Sequence, residues 1–221
     1  MEKFITNFDT TAELAAFSAT TDFGRPHVSL TEDDSKVHYF ENNSHNGHEY
    51  VNLGLPSGTK WATMNVGASS ETNYGNYYQY GKGAAKYAAT SGDSAYSGEE
   101  NPLAASADTA VQVWGGQWHM PTIAQIEELT TNTTYEWVEN YKGSGKNGCT
   151  FTATNGAVLF FPAAGFWDDD IQYMVGNFGN YWSSSPSGSD YAYRLVFGYN
   201  NDEYVDNYLR KLGGSVRPVV G

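Results

Sequence analysis

Short apolar runs broken by glycine and proline are the feature that most restricts the fold of this chain. From Tyr50 onward, YVNLGLPSGTKWATMNVGA holds only short apolar runs, and AVLFFPAAG is apolar enough to predict a central strand. Runs of this length between Gly and Pro are typical of strands joined by turns. The clearest helical pattern is PTIAQIEELTTN, in which Ile123, Ile126 and Leu129 share one face. The sequence therefore predicts an α+β domain with few helices, many short antiparallel strands and long loops.

Residues 1–48 differ in character from the rest of the chain. Thr10 and Glu13 fit a capping box that opens a short amphipathic helix. Alternating apolar residues between Val28 and Tyr39 predict two short strands, and ENNSHNGHEY reads as a polar linker. We therefore expect an attachment or oligomerisation segment over 1–48 and a domain over 49–221.

Charge and cysteine content exclude several classes of function. The 25 acidic and 12 basic side chains give a net charge of -13, which would repel a phosphate backbone, so no nucleic-acid partner is expected. Cys149 is the single cysteine, which excludes an intramolecular disulfide and cysteine-rich zinc sites. No apolar run reaches the length of a membrane span or a signal peptide. We expect no membrane insertion and, if Met1 is the natural start, no signal peptide.

Candidate metal-binding and catalytic groups are few. His38, His45 and His48 include an H-x-x-H spacing, but no helix fixes their geometry. Asp168, Asp169 and Asp170 have the hard oxygen ligands that calcium prefers. Neighbouring carboxylates on an extended chain point in alternate directions, however, so the sequence favours a solvated acidic loop. No cofactor is predicted, and binding of a structural calcium ion is the alternative. No G-x-S-x-G elbow, phosphate loop or H-E-x-x-H motif occurs, so no enzyme is predicted.

The segments YAYRLVF and EYVDNYL near the C-terminus combine aromatic, amide and carboxylate side chains. They read as a β-hairpin around the turn Asn200–Asp202, with tyrosines and aspartates on one surface and aliphatic side chains beneath. Two interpretations follow. Either the tyrosines cover the rim of the core, or they form a binding surface, for which tyrosine provides large contact area at low entropic cost.

Five segments in order, YVNLGLPSGTKWATMNVGA, WGGQWHMPTIAQIEEL, FFPAAGF, GNYWSSSP and GGSVRPV, resemble the Fibrobacter major paralogous domain family. That family is similar to the formylglycine-generating-enzyme branch of the C-type lectin fold, and the resemblance covers about residues 50–221. It implies a C-type lectin-like fold of that type. His119 and Met120 depart from the usual arginine-leucine-proline-threonine run. The paired catalytic cysteines of that enzyme have no counterpart, so its oxygen-dependent chemistry is not expected here.

The C-terminal part also resembles the variable proteins of diversity-generating retroelements, such as the phage major tropism determinant. In that family, error-prone copying at template adenines changes codons without creating stop codons, but cannot produce Trp, Glu, Lys, Gln or Met. Glu203 and Lys211 fall outside the reachable set, so they require other template codons or are fixed positions, and Trp167 departs from the expectation in the same way. The resemblance implies a variable region over about 165–214. The implied ligand-binding residues are Phe166, Trp167, Asp168, Asp169, Asp190, Tyr191, Tyr193, Arg194, Tyr199, Asn201, Asp202, Tyr204, Asp206, Tyr208, Leu209 and Leu212.

This resemblance implies a ligand- or receptor-binding protein, on a phage tail or fibre tip or at a cell surface. Its ligand would be a bacterial cell-surface protein or glycan, and a homotrimer is expected by analogy. The alternative is a fixed-sequence surface adhesin or structural module of the same fold. In either case the variable side chains should point outward, while buried aromatic residues stabilise the frame. The expected core aromatics are Trp61, Trp114, Trp118, Phe160, Phe161 and Trp182.

Overall fold

Antiparallel strands are the main regular secondary structure of the described residues. The computed structural model describes residues 28–30, 37–39, 43–83, 94–200 and 203–221, with only the backbone described for the two short N-terminal strands and for 203 and 204. The helix predicted after Thr10 lies outside the described residues. The chain divides into two units, residues 1–43 and 44–221. In the first unit, β1 (Val28–Leu30) and β2 (Val37–Tyr39) pair antiparallel, as their alternating sequence predicts.

The second unit contains fourteen of the described strands and both described helices. The helices are α1 (Thr109–Trp114) and α2 (Ile123–Asn132), and a 3₁₀ turn covers Tyr141–Gly143. The strands are β3 (Ser44–His45), β4 (His48–Val51), β5 (Lys60–Ala62), β6 (Tyr78–Gln79), β7 (Thr133–Val138), β8 (Gly148–Ala153), β9 (Val158–Pro162), β10 (Phe166–Asp168), β11 (Ile171–Tyr173), β12 (Phe178–Ser187), β13 (Tyr191–Gly198), β14 (Glu203–Leu209), β15 (Gly213–Gly214) and β16 (Val219–Val220).

These strands form four small sheets, and every ladder between them is antiparallel. The orders are β16-β5-β4-β3, β11-β10-β15-β6, β12-β13-β14 and β7-β8-β9. The apolar run AVLFFPAAG suggested a central strand, but β9 lies at the edge of its sheet and β8 is central. Residues 159–162 of β9 are nevertheless buried, because core side chains outside the sheet cover them. The architecture is a small α+β fold with few helices.

Helix α2 follows the sequence pattern closely. The Thr122 hydroxyl accepts the Gln125 N–H, and the Gln125 side chain accepts the Thr122 N–H in return, which forms a capping box at the N-terminus. Ile126 and Leu129 are fully buried against the sheets. The predicted buried face of the helix is confirmed, and it packs on β12, β13 and β14.

Aromatic side chains form much of the core in two clusters, as the sequence predicts. All six expected core aromatics are buried. Trp61 and Phe161 belong to one cluster, whereas Trp114, Trp118 and Trp182 belong to the other. The indole N–H of Trp182 donates to the Tyr78 carbonyl at 3.0 Å. Because these buried rings come from distant parts of the chain, they hold the small sheets together.

The segment predicted as a polar linker forms the hairpin β3–β4 instead. Asn46 and Gly47 occupy its two-residue turn, and their φ values of 45° and 79° meet the requirement of a type I′ turn. The His48 ring stacks on Trp114 with centroids 3.7 Å apart, and the Trp118 indole donates to the His45 carbonyl at 2.8 Å. The two histidines of the H-x-x-H spacing therefore pack on tryptophans.

Helix α1, which the sequence pattern did not indicate, depends on the buried carboxylate of Asp108. One oxygen of Asp108 accepts the Val111 N–H at 3.0 Å, and the other accepts the Met120 N–H at 2.9 Å. Burial raises the pKa of Asp108, and these backbone donors oppose that shift. Asp108 thus caps the helix and joins it to the segment that leads into α2.

Candidate ligand-binding face

The predicted tyrosine-rich hairpin exists and forms two strands of the sheet β12-β13-β14. Tyr191 pairs with Leu209, and Phe197 pairs with Glu203, so β13 is the central strand. Helix α2 covers one face of this sheet. Leu195 and Phe197 of β13 lie on that face and are buried. The strands beneath the candidate surface are therefore part of the core.

The register of this hairpin separates the tyrosines onto two faces. Tyr193 lies opposite Asn207, whereas Ala192 lies opposite Tyr208. Side chains directly opposite each other lie on one face of the sheet, and successive side chains alternate. Tyr191 and Tyr193 thus share the face covered by α2, and Tyr208 lies on the other face. The sequence-based placement of all tyrosines on one surface is wrong, because odd-numbered residues of β13 pair with odd-numbered residues of β14.

Arg194 organises the face that carries Tyr208. Its side chain is only 5% exposed. The guanidinium donates to Asn180 Oδ1 at 3.0 Å and to Asp206 Oδ2 at 3.2 Å. It also lies over the Tyr208 ring, 4.2 Å from the centroid. A buried cation therefore holds one carboxylate and one aromatic ring at the surface.

A series of aromatic rings extends this surface onto β10 and β11. The Phe166 centroid lies 6.3 Å from that of Tyr208, 6.4 Å from that of Phe178 and 5.5 Å from that of Tyr173. These separations are those of packed aromatic pairs. We name the group formed by Phe166, Tyr173, Phe178, Arg194, Asp206 and Tyr208 the Arg194 face.

Side chains of β10 also alternate between the two faces of their sheet, so Asp168 and Trp167 point to opposite sides. Lys211 Nζ lies 3.5 Å from Asp168 Oδ1, which makes an exposed ion pair beside the Arg194 face. Trp167 lies on the opposite side of β10, and its ring contacts that of Tyr77 at 6.2 Å. Burial raises the pKa of Tyr77 to about 12, and the Tyr77 hydroxyl donates to the Ala164 carbonyl. Trp167 thus helps to attach the small sheet to the core.

No family model, no curated protein and no solved structure matches this chain. The geometry of the described residues is therefore the basis for any functional argument.

The expected outward orientation holds for some predicted residues and fails for others. Leu212 is only 1% exposed and belongs to the core, Arg194 is buried, and Leu209 is half-buried against the same core cluster. These three positions were expected to point outward, and the structure corrects that expectation. Arg194 is buried because it lies in the central strand, where Asp206 and Tyr208 contact its guanidinium. Leu209 and Leu212 pack against the core cluster that contains Trp182. Half-buried predicted residues are Phe166, Trp167, Asp168, Tyr193 and Asp206, and exposed ones are Asp169, Asp190, Tyr191, Tyr199 and Tyr208. Asn201, Asp202 and the Tyr204 side chain lie outside the described residues.

Several residues of this surface were missed by the sequence analysis. Tyr173 and Phe178 complete the ring series, and Lys211 pairs with Asp168. The available signal was the stretch FWDDDIQY, in which a two-residue Asp169–Asp170 turn joins β10 to β11. Reading it as a solvated acidic loop hid the hairpin, and with it the exposed apolar residues that follow the turn.

The described part of the chain contains few side chains that are placed to bind a metal ion. No group of three or more His, Cys, Asp or Glu side chains in the described ranges is arranged to hold one. Asp168 pairs with Lys211, which further weakens the acidic triplet as a calcium site. Within the same ranges, no helix combines the length and the apolar character that crossing a membrane requires.

Proposed function

We propose that this chain is a ligand- or receptor-binding protein whose binding surface is the Arg194 face, carried on a C-type lectin-like frame. One observation supports the proposal most. Tyr208 is 37% exposed, yet its ring rests on the buried Arg194 guanidinium at 4.2 Å. An accessible aromatic ring fixed from below loses little conformational entropy when it contacts a partner, which favours binding.

The support beneath this surface is buried and hydrogen-bonded. Arg194 lies in the central strand and donates to the buried side chain of Asn180 on β12, while α2 covers the other face of the sheet. Asn180 is itself fully buried. A ligand would therefore meet a preorganised set of one carboxylate and several aromatic rings, held in place by the buried Arg194.

The structure restricts which positions tolerate diversification. Exposed side chains such as Tyr191 and Tyr199 can change at a cost within about 0.5 kcal/mol of folding free energy. Buried Arg194 and Leu212 cannot, because their contacts support the sheet and the core. We propose that a variable region in this chain would use the exposed positions and keep those two residues fixed.

The proposed biological setting rests on the resemblance to the variable proteins of diversity-generating retroelements. A phage tail or fibre tip that recognises a bacterial cell-surface protein or glycan suits a small frame with one exposed aromatic face. A homotrimer would add avidity to weak single sites. The alternative is a fixed-sequence adhesin or structural module of the same fold. An enzyme is the least favoured class, since Cys149 is solitary and buried.

Two tyrosines of the same hairpin provide a matched test. Tyr208 is 37% exposed on the Arg194 face, and Tyr191 is 43% exposed on the opposite face. The full chain would be tested for binding to a glycan array and to a displayed library of short random peptides. We expect Tyr208→Ser to weaken binding of the selected ligands by about tenfold or more, as for an interface hot spot. Tyr191→Ser should change it little, and both variants should keep the wild-type melting temperature.

Equal effects of the two substitutions would contradict the assignment of the Arg194 face. Absence of any selected ligand would contradict the binding function itself. The nucleotide sequence separates diversification from a fixed module. A nearby imperfect repeat of the 3′ coding region that differs only at template adenines, together with a reverse transcriptase gene, supports diversification.

A further inference from the structure

The β10–β11 hairpin places a run of apolar side chains in solvent. After the Asp169–Asp170 turn, Ile171, Tyr173, Met174 and Val175 are between 37% and 56% exposed. Gln172 alternates to the other side, where its amide donates to the Tyr77 hydroxyl. We name Ile171, Tyr173, Met174 and Val175 the apolar corner.

Single exposed apolar residues are ordinary, but a contiguous group is not. Val113 and Val158 are exposed to a similar degree, at 42% and 44%, and each stands alone on its element. Contiguous apolar surface on a folded protein usually marks a contact with another molecule. Methionine within such a surface adapts to the shape of a partner.

The apolar corner is continuous with the Arg194 face. Tyr173 belongs to both groups, and its ring stacks on Phe166, which in turn contacts Tyr208. A partner that covers Tyr208 and Phe166 would therefore also reach Tyr173 of the corner. The two groups together offer a larger contact area than either provides alone.

Carboxylates border the apolar corner at its turn. Asp168 pairs with Lys211, whereas Asp169 and Asp170 are exposed and make no ion pair with any described residue. The whole chain carries a net charge of -13, so its general field adds to the local one. Such a surface attracts cationic groups and repels the same acidic corner of another copy of the chain.

We infer that the apolar corner and the Asp169–Asp170 turn contact a protein partner that presents apolar side chains flanked by lysine or arginine. This inference rests on the proposed function and names the class of ligand. Exposed aliphatic and thioether side chains gain from burial against other apolar side chains. Small ligands instead occupy concave sites with converging polar groups, whereas this corner projects into solvent. The negative charge of the Asp169–Asp170 turn favours a partner that carries lysine or arginine beside its apolar side chains.

The test uses the full chain and a displayed library of short random peptides, with a glycan array in parallel. Selection on the wild-type chain should enrich peptides that combine apolar residues with Lys or Arg. Ile171→Ser with Val175→Ser should weaken these peptides by about tenfold or more, as truncation of interface anchors does. Val113→Ser with Val158→Ser is the matched control and should leave their affinity unchanged.

The charge requirement has its own pair of variants. Asp169→Asn with Asp170→Asn should weaken the selected peptides and reduce the salt dependence of their binding. Glu136→Gln with Glu139→Gln removes the same charge from other exposed positions and should have little effect. Selected peptides that are acidic, or that respond equally to control and corner variants, would overturn the inference.

The outcomes distinguish this inference from the proposed function. Peptides that lose affinity with Tyr208→Ser but not with the corner variants would leave the Arg194 face as the binding surface and reject the apolar corner. Binding to glycans alone would likewise reject a protein partner while keeping the binding function. A chain that selects neither peptides nor glycans would contradict both proposals.

Discussion

The guanidinium of Arg194 lies 4.2 Å from the centre of the Tyr208 ring on the adjacent strand. One member of this pair is buried and the other is accessible, so the contact joins the core to the surface. The same guanidinium donates to Asp206 at 3.2 Å. Because one cation supports two neighbouring surface side chains, a change at position 194 should alter both.

Substitution of Arg194 by methionine tests this support. Methionine keeps much of the apolar volume but leaves the buried Asn180 oxygen without its donor. We expect the free energy of unfolding to fall by about 1–3 kcal/mol, the usual cost of an unsatisfied buried polar group. Tyr199→Ser, at an exposed site, should change it by less than about 0.5 kcal/mol. Denaturant unfolding of both variants measures these free energies. Equally small decreases for the two variants would show that Arg194 does not stabilise this face.

Leu212 should behave as a core residue although it lies in the region expected to vary. It is 1% exposed and packs in the cluster that contains Trp182 and Ala192. Leu212→Ala should lower the free energy of unfolding by about 2–5 kcal/mol, because it removes buried methyl groups and leaves a cavity. The half-buried Leu209 is a natural comparison, and Leu209→Ala should cost less. A Leu212→Ala variant as stable as wild type would show that this position is free to diversify.

The stability of the protein should fall in mild acid, in part because of His48. Burial lowers the pKa of His48 below its ordinary value of 6.5, so the unfolded chain binds this proton more readily than the folded chain does. The contribution is therefore complete above pH 6.5 and is lost as the pH falls through the folded pKa. The melting temperature of wild type should drop more between neutral and mildly acidic pH than that of His48→Phe, which keeps a ring on Trp114. Equal pH slopes for the two proteins would contradict the prediction.

Cys149 should be chemically inert in the folded protein. Its side chain is fully buried in β8, within the same core cluster as Phe151 and Phe161. Thiol reagents act on an accessible thiolate, so a buried thiol reacts only after the protein opens. We expect no reaction with a chromogenic disulfide reagent under native conditions and stoichiometric reaction in concentrated guanidinium chloride. Rapid labelling of the native protein would place the thiol at the surface.

Local features of the chain could be read from the sequence. Thr122 and Gln125 are neighbours along the chain, so their capping box and the apolar face of α2 follow from spacing alone. The aromatic residues expected in the core are buried for a similarly general reason, since large apolar side chains gain most from leaving water. The hairpin of residues 44–51 was missed because its Asn46–Gly47 turn signal lies within otherwise polar residues.

The composition of the C-terminal segment and its division into two strands were set by the sequence itself, because Tyr, Asn and Asp alternate with aliphatic residues on either side of a turn. Which side chains share a face was decided only by the tertiary structure. A shift of one residue in the pairing of β13 with β14 would exchange the two faces, and nothing local to either strand fixes that register. Packing of α2 against Leu195 and Phe197 buries one face of the sheet. That packing leaves Tyr208 in solvent above Arg194.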